Sequence, residues 1–384
     1  MVFAVGASKP LVWAGARTRP QRARPRTAAP AVPRSVRCRA AAGEGDAAQA
    51  ASVADVAMPQ GRVTDGGSEP GAPLPGEEVV RWTEYGAPIY EGYYEWKNGW
   101  RIRYQRSGDS GPPVLLVHGF GGNCDHWRKN TGELGKAGCR AFSIDLLGYG
   151  YSSKPSPKNA EPNSIYCFEN WSEQLRHFIE TKIGEPTAVV CNSVGGIAGL
   201  QAAVDDPSLV TSVAVLNISL RMLHVSKQAP LSRPFVAAFQ RVLRETDIGK
   251  AFFGSVAQPR TVGNILRQAY HDPATVTDEL VDCILKPGLQ DGAVDVFLDF
   301  ISYSGGPLPE DLLREVPVPT VVVWGDKDPW EKVEWGREFE AYPTVKEYIE
   351  LPGVGHCPQD ERPDLVNPVL LDFVGKYHRP VASG

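Results

Sequence analysis

No stretch of this chain is apolar for long enough to cross a bilayer. The longest hydrophobic runs, such as Val318 to Trp324 and Val114 to Val117, have the length of strands. A spanning helix needs about 20 apolar residues, so any membrane contact is peripheral. Acidic residues are missing altogether from Met1 to Gly43. Paired cysteines are missing too. Cys38, Cys124, Cys139, Cys167, Cys191, Cys283 and Cys357 are scattered, with no Cys-x-x-Cys spacing. That excludes a zinc-ligand pattern and argues against a structural disulfide set, and most of these thiols are expected to be small buried apolar groups. No internal repeat is visible.

The acid-free leader is filled instead by Arg17, Arg19, Arg22, Arg24, Arg26, Arg34, Arg37 and Arg39, with Lys9 and many small residues and prolines. An Arg-rich, acid-free start without a compact apolar core reads as an organelle transit peptide over residues 1–43. Val36 to Ala40 resembles a chloroplast processing region, which places the protein in the stroma or at a peripheral thylakoid site. Removing nine positive charges from a net charge of −5 leaves −14 for the remainder. An acidic body of that kind excludes general nucleic-acid binding. Residues 44–85, rich in Ala, Gly and Pro, read as a disordered linker. The hydrophobic fraction of 42% is that of a globular domain.

From Tyr93 the pattern becomes regular. Tyr93–Trp96 and Trp100–Gln105 flank Asn98-Gly99, a strong hairpin signal. Strands are expected at Pro113–Val117, Arg140–Ile144, Thr187–Val190, Ser212–Leu216, Thr320–Trp324 and Glu347–Leu351. Helices are expected at His126–Lys136, Phe168–Ile183, Glu334–Tyr342 and Asp364–Tyr377. Between about Leu220 and Arg314 the alternation stops. Five helices are expected there: Phe235–Leu243, Ile248–Phe253, Val262–Tyr270, Thr277–Leu285 and Ala293–Ile301. Alternation interrupted by one helical block predicts an α/β protein, a mostly parallel doubly wound sheet carrying a helical cap. The core spans residues 86–219 and 315–384, and the cap 220–314.

Three chemical landmarks fall at expected strand ends, where open α/β sheets place their ligands. Ser193 lies in Cys191-Asn192-Ser193-Val194-Gly195-Gly196, between a strand and a helix, so that a sharp turn lifts its hydroxyl clear of the sheet. Asp328 follows the strand after the cap, and His356 follows the last strand. A neutral serine is a weak nucleophile. His356 would take its proton, and a buried carboxylate would hold the imidazole. Asp326 competes for that last role, but it sits nearer the strand end with less reach. Leu216-Asn217-Ile218-Ser219, where some hydrolases carry the acid, has no carboxylate. The fourth landmark is His118-Gly119-Phe120-Gly121-Gly122. Its glycines let backbone approach a substrate, and the N–H groups of Phe120 and Val194 would form an oxyanion hole. His118, Gly119, Asn192 and Trp330 are expected at the substrate pocket, and His118 is expected to hold the oxyanion loop rather than act as a base. No metal or cofactor is implied.

Residues from about 90 to 378 resemble the α/β-hydrolase superfamily, and within it the plant and cyanobacterial chloroplast-type members related to pheophytinase and chlorophyll dephytylase. The motifs that carry the resemblance are His118-Gly119-Phe120-Gly121 with His126-Trp127, and Ile144-Asp145-Leu146-Leu147-Gly148-Tyr149-Gly150 with Ser152. Asn192-Ser193-Val194-Gly195-Gly196, Trp324-Gly325-Asp326-Lys327-Asp328-Pro329-Trp330 and Gly355-His356-Cys357-Pro358 complete it. Those enzymes usually keep glycine where Cys191 stands. The resemblance implies a serine esterase acting on a hydrophobic small-molecule ester, with a phytyl ester of a chlorophyll derivative as the sharpest version. Alternatives are a lipid or acyl esterase or thioesterase, a hydrolase-like receptor, and a hydroxynitrile-lyase-type enzyme. The serine argues against the epoxide hydrolases and haloalkane dehalogenases of this fold, which use aspartate. In the cap, Phe235, Phe239, Phe252, Phe253, Phe297, Phe300 and Tyr303 are numerous enough to line an apolar pocket. Cys124, Cys191 and Cys357 lie beside the expected site, which raises thiol redox control as a further reading.

Overall fold

The computed structural model describes residues 74–82, 88–161, 164–221 and 224–378. The leader at 1–43 and most of the expected linker lie outside the described residues. The frame is one sheet of nine strands in the order β1-β2-β3-β5-β4-β6-β7-β8-β9. The strands are β1 Glu78–Trp82, β2 Pro88–Trp96, β3 Trp100–Ser107, β4 Pro113–Val117, β5 Arg140–Ile144, β6 Thr187–Asn192, β7 Val210–Leu216, β8 Thr320–Gly325 and β9 Val345–Leu351. β1, β2 and β3 join antiparallel, and β3 meets β5 antiparallel. From β5 to β9 every pairing is parallel. β4, β6 and β8 are buried along their whole length, as strands covered on both faces must be.

The alternation of side chains along each strand divides the core into two layers. Leu115 and Val117 of β4 face one layer, with Trp171, Leu175 and Phe178 of helix α2 (Phe168–Phe178) and Ile197 and Leu200 of α3 (Gly195–Asp205). Val114 and Leu116 face the other, with Leu134 of α1 (Thr131–Lys136) and Val366, Leu370 and Phe373 of the C-terminal helix Pro363–Tyr377. Between β7 and β8 comes the cap: α4 (Arg233–Glu245), α5 (Asp247–Val256), α6 (Pro259–Ala269), α7 (Asp278–Gly288) and α8 (Ala293–Ile301). Its own small core, built on Leu266, Tyr270, Leu280 and Val281, reaches Cys357 in the loop after β9.

Several expectations need correction. Glu78–Trp82 falls inside the span read as linker, yet it is an edge strand. A five-residue segment carries too little periodicity to show itself. It is held from outside, by β2 and by the Glu77 carboxylate, which accepts from Arg106 Nε and from the Tyr104 hydroxyl at 2.9 Å. The expected helix His126–Lys136 is a 3₁₀ turn, Cys124–Trp127, followed by α1, because the Asn123 side chain caps Asp125 N–H and starts the turn early. Helix α9 (Pro309–Glu315) lies mostly within the span assigned to the cap, but Leu312 and Leu313 join the main core instead. Two further short helices, α10 (Val333–Gly336) and α11 (Pro358–Glu361), precede the C-terminal helix, α12.

Cys191 shows why its motif departs from glycine. A methyl group on Gly199, one turn into α3, would come within 2.3 Å of the Cys191 sulfur. The cysteine fills space that a glycine in the helix leaves open. Gly199→Ala is therefore expected to destabilise the fold by about 1–3 kcal/mol through overpacking. Cys191→Ala in the same chain should recover most of that loss in urea unfolding; simple additivity of the two changes would contradict the packing account.

Candidate active site

Ser193 stands in the turn directly after β6 with a φ of +55°, a left-handed conformation that costs a non-glycine residue about 1–2 kcal/mol. Three contacts over-determine it. Its N–H donates to Leu216 O at 3.0 Å, and its own carbonyl accepts from Gly196 N–H at 3.0 Å as α3 begins. The loop after β4 then presses against it, so closely that a Cβ on Gly119 would sit 2.8 Å from Ser193 Cβ, and one on Gly195 would sit 2.4 Å from His118 O. Side chains are excluded at both glycines because two backbones meet there. The N–H groups of Phe120 and Val194 have no hydrogen bond among the described residues. An oxygen placed beside the Ser193 hydroxyl can accept from such donors.

His356, in the loop after β9, lies between two partners. Its Nε2 is 3.0 Å from Ser193 Oγ, and its Nδ1 is 2.6 Å from Asp328 Oδ2. Asp328 is buried, and every lone-pair direction has a donor. Oδ2 also accepts from Asn217 Nδ2 at 2.8 Å, while Oδ1 accepts from Trp330 N–H at 2.8 Å and Glu331 N–H at 3.0 Å. Burial works against its ionisation, but His356 and these N–H donors outweigh burial and hold its pKa below the ordinary carboxylate value. Burial likewise works against charge on His356, yet the Asp328 carboxylate and Glu331 raise its pKa above 6.5. Asp326 does something else. It accepts from Gly353 N–H at 2.6 Å and pairs with Lys327 at 2.9 Å, closing the turn after β9.

Two neighbours escaped the sequence reading. Asn217 was noticed only as a place without a carboxylate. Its backbone adopts φ +44°, its amide donates to Asp328, and its Oδ1 accepts from Gly325 N–H at 2.9 Å. The signal was an amide standing at the strand end where an acid could have been. Glu331 is buried beside the pair, accepting from Leu220 N–H at 3.1 Å and Ser219 Oγ at 3.2 Å. Burial pushes its pKa up to about 7 against the pull of His356, with Asp328 adding to the rise.

The pocket expectations change in part. His118 is fully buried. Leu146 N–H donates to its Nε2 at 3.0 Å, so the ring proton sits on Nδ1 and donates to Gly119 O at 2.7 Å. Burial lowers its pKa, and the neutral ring braces the loop. Asn192 is also buried, donating to Leu216 O and His356 O at 3.1 Å each. The hydrogen bonds of both fix the loops around Ser193, the part expected of His118. Trp330 is half-buried, with its ring 4.9 Å from that of His356. Phe120 stacks on Phe300 at 5.0 Å and meets Phe297 at 5.7 Å, with Phe253 behind at 5.2 Å. Phe235 and Phe239, in contrast, are 76% and 42% exposed and point away.

The cap is wired to both loops. His356 N–H donates to Ala269 O at 2.8 Å, and Asn123 Nδ2 donates to Cys283 O at 2.7 Å. Tyr270 hydrogen-bonds His126 at 3.0 Å and Asp360 at 2.9 Å, and Asp360 pairs with Arg128 at 2.7 Å. Burial pushes His126 down to about 4 even against Asp360. Cys124, Cys191 and Cys357 are all buried free thiols whose pKa values burial raises. Such thiols are poor nucleophiles and redox sensors. Among the described residues no group of His, Cys, Asp and Glu is arranged to hold a metal ion.

The chain is similar to known proteins. A model of the alpha/beta hydrolase family matches residues 114–369. Pheophytinase, a chloroplast protein of Arabidopsis thaliana, is 28% identical over 341 residues, covering 76% of this chain and 67% of that protein. Epoxide hydrolase 3 of Xenopus tropicalis is 27% identical over 292 residues, covering 74% of this chain and 77% of that protein. The solved structure of a serine hydrolase involved in carbazole degradation superposes with a TM-score of 0.57 at 20% identity, over 74% of this chain and 99% of that one.

The electrostatics give a direct test. Histidine NMR should show His356 titrating with a midpoint above 6.5. Glu331→Gln should move that midpoint to lower pH, because a negative charge favouring the imidazolium is removed. A midpoint at or below 6.5, or one unmoved by the substitution, would contradict this picture.

Proposed function

Because the chain belongs to the alpha/beta hydrolase family, we propose that it is a serine hydrolase of the plastid that cleaves a carboxylic ester of a hydrophobic substrate. The observation that carries this reading is the buried chain of hydrogen bonds Ser193 Oγ to His356 Nε2, and His356 Nδ1 to Asp328. In the proposed reaction Ser193 Oγ attacks the ester carbonyl while His356 takes its proton, and the oxyanion accepts from the N–H groups of Phe120 and Val194. His356 then protonates the departing alcohol, leaving an acyl-Ser193. Water attacks the acyl group with His356 as base, the acid departs, and serine is restored. Asp328 stays ionised throughout and stabilises the imidazolium. No cofactor is needed.

The substrate class rests on the aromatic wall of Phe120, Phe297 and Phe300, which suits an acyl or prenyl chain better than a polar group. Similarity to pheophytinase and the Arg-rich leader support the sharper version, a phytyl ester of a chlorophyll derivative in the chloroplast.

Incubating the protein with a plastid lipid and pigment extract is the test. One class of hydrophobic ester should disappear, with its acid and alcohol appearing in equal amounts, and Ser193→Ala should leave the extract unchanged. Turnover that survives Ser193→Ala would refute the serine mechanism. Loss of a lipid acyl ester with pigments intact would refute the phytyl version alone.

A further inference from the structure

The outer side of the cap is apolar where a solvent-facing helix is ordinarily polar. Leu231 is 88% exposed just before α4, and Phe235, Phe239 and Val242 follow along one face of the helix at spacings of four and three. Ile248, at the start of α5, is 61% exposed. The helix is not poised to roll these residues inward. Leu243 is buried on the adjoining face, and Gln240 Nε2 bonds Ser304 Oγ at 2.9 Å and Ile301 O at 3.3 Å. Their outward position is fixed by packing.

Charge says what such a face would meet. Between Asp206 and Glu245 the sequence has no acidic residue, while it carries Arg221, Lys227, Arg233, Arg241 and Arg244. Among residues 44–384, which carry a net charge of −14, this window is distinct. Arg221 is turned inward, donating to the carbonyls of Gly305 and Pro307, and Lys227 pairs with Glu310. Arg233 and Arg241 face solvent on the same helix, one at its first residue and one in its last turns. Arg233 has no ion pair among the described residues, and it borders a groove of about 300 Å³ with Pro234, Ala237 and Gln240. Arg241 has Glu245 beside it at the far end of the helix. Phenylalanine and leucine flanked by arginine suit the boundary between acyl chains and anionic headgroups. An apolar protein groove would have no use for the arginines.

We propose that the outward face of α4, with Leu231 before it and Ile248 after it, docks this protein on an anionic lipid surface. No step of the proposed ester chemistry is needed for docking.

Vesicle sedimentation tests the docking without any assay of turnover. Wild-type protein should sediment with vesicles of phosphatidylcholine and phosphatidylglycerol, less with phosphatidylcholine alone, and less at high salt. Leu231→Ser with Phe235→Ser should weaken binding roughly tenfold or more, since each buries an apolar side chain on docking. Arg233→Gln with Arg241→Gln should bring the two vesicle types closer together. The melting temperature checks that these exposed substitutions leave the fold intact. Absence of wild-type protein from the anionic vesicles, or undiminished binding by Leu231→Ser/Phe235→Ser, would overturn the proposal. A dimer that those two substitutions dissolve, without vesicle binding, would overturn it in favour of a second copy of the chain.

Discussion

A carboxylate sealed away from water organises the working end of this molecule. An ion without partners in a protein interior costs several kcal/mol even after relaxation, so Asp328 can be buried only where donors surround it. Here the donors come from three places in the chain: Asn217 after β7, the Trp330 and Glu331 N–H groups after β8, and His356 after β9. Those ends are neighbours because β7, β8 and β9 lie side by side and parallel. Sheet order and charge placement are therefore one problem. The same carboxylate sets the basicity of His356, which in turn lies within hydrogen-bond reach of the strained Ser193.

The cap then acts as more than a lid. The carbonyl of Cys283, midway along α7, accepts from Asn123 beside the Phe120 loop, and the end of α6 supplies the acceptor for His356 N–H. Tyr270 joins the same helix to His126 and Asp360. Both loops that would surround a reacting ester thus lean on the insertion that roofs them. A displaced cap would loosen the site as well as open it. On its outer side the insertion presents an unusual apolar and cationic face, so one element links a surface to the chemistry beneath it.

Much of this was legible in the chain because it depends on short-range pattern. β4 and β5 match their expected limits residue for residue, and β4 is the unbroken apolar run that a strand covered on both faces shows. The Asn98-Gly99 hairpin has both residues at positive φ, as its turn requires. Ser193, Asp328 and His356 stood out because each follows an expected strand end. Features that depend on distant partners did not. β1 exists because β2 offers a free edge, and α9 belongs to the main core because α3 is there to receive Leu312 and Leu313. Glu331 carries no local mark of its part, which is set entirely by what it faces, and Asn217 is marked only by its place at a strand end. Periodicity also leaves open which way an aromatic residue of a cap helix will turn. Phe297 and Phe300 turn toward Phe120, whereas Phe235 turns out.

The central claim is that Asp328 makes His356 a base for Ser193. The most direct measurement is the rate at which a fluorophosphonate modifies the wild-type protein and Asp328→Asn, with the adduct located by peptide mass spectrometry. The account predicts a single adduct on Ser193 and a rate lower by roughly 10⁴-fold in Asp328→Asn, the scale of loss when such a carboxylate no longer holds the imidazole tautomer. Equal rates in the two proteins, or an adduct on another residue, would contradict it.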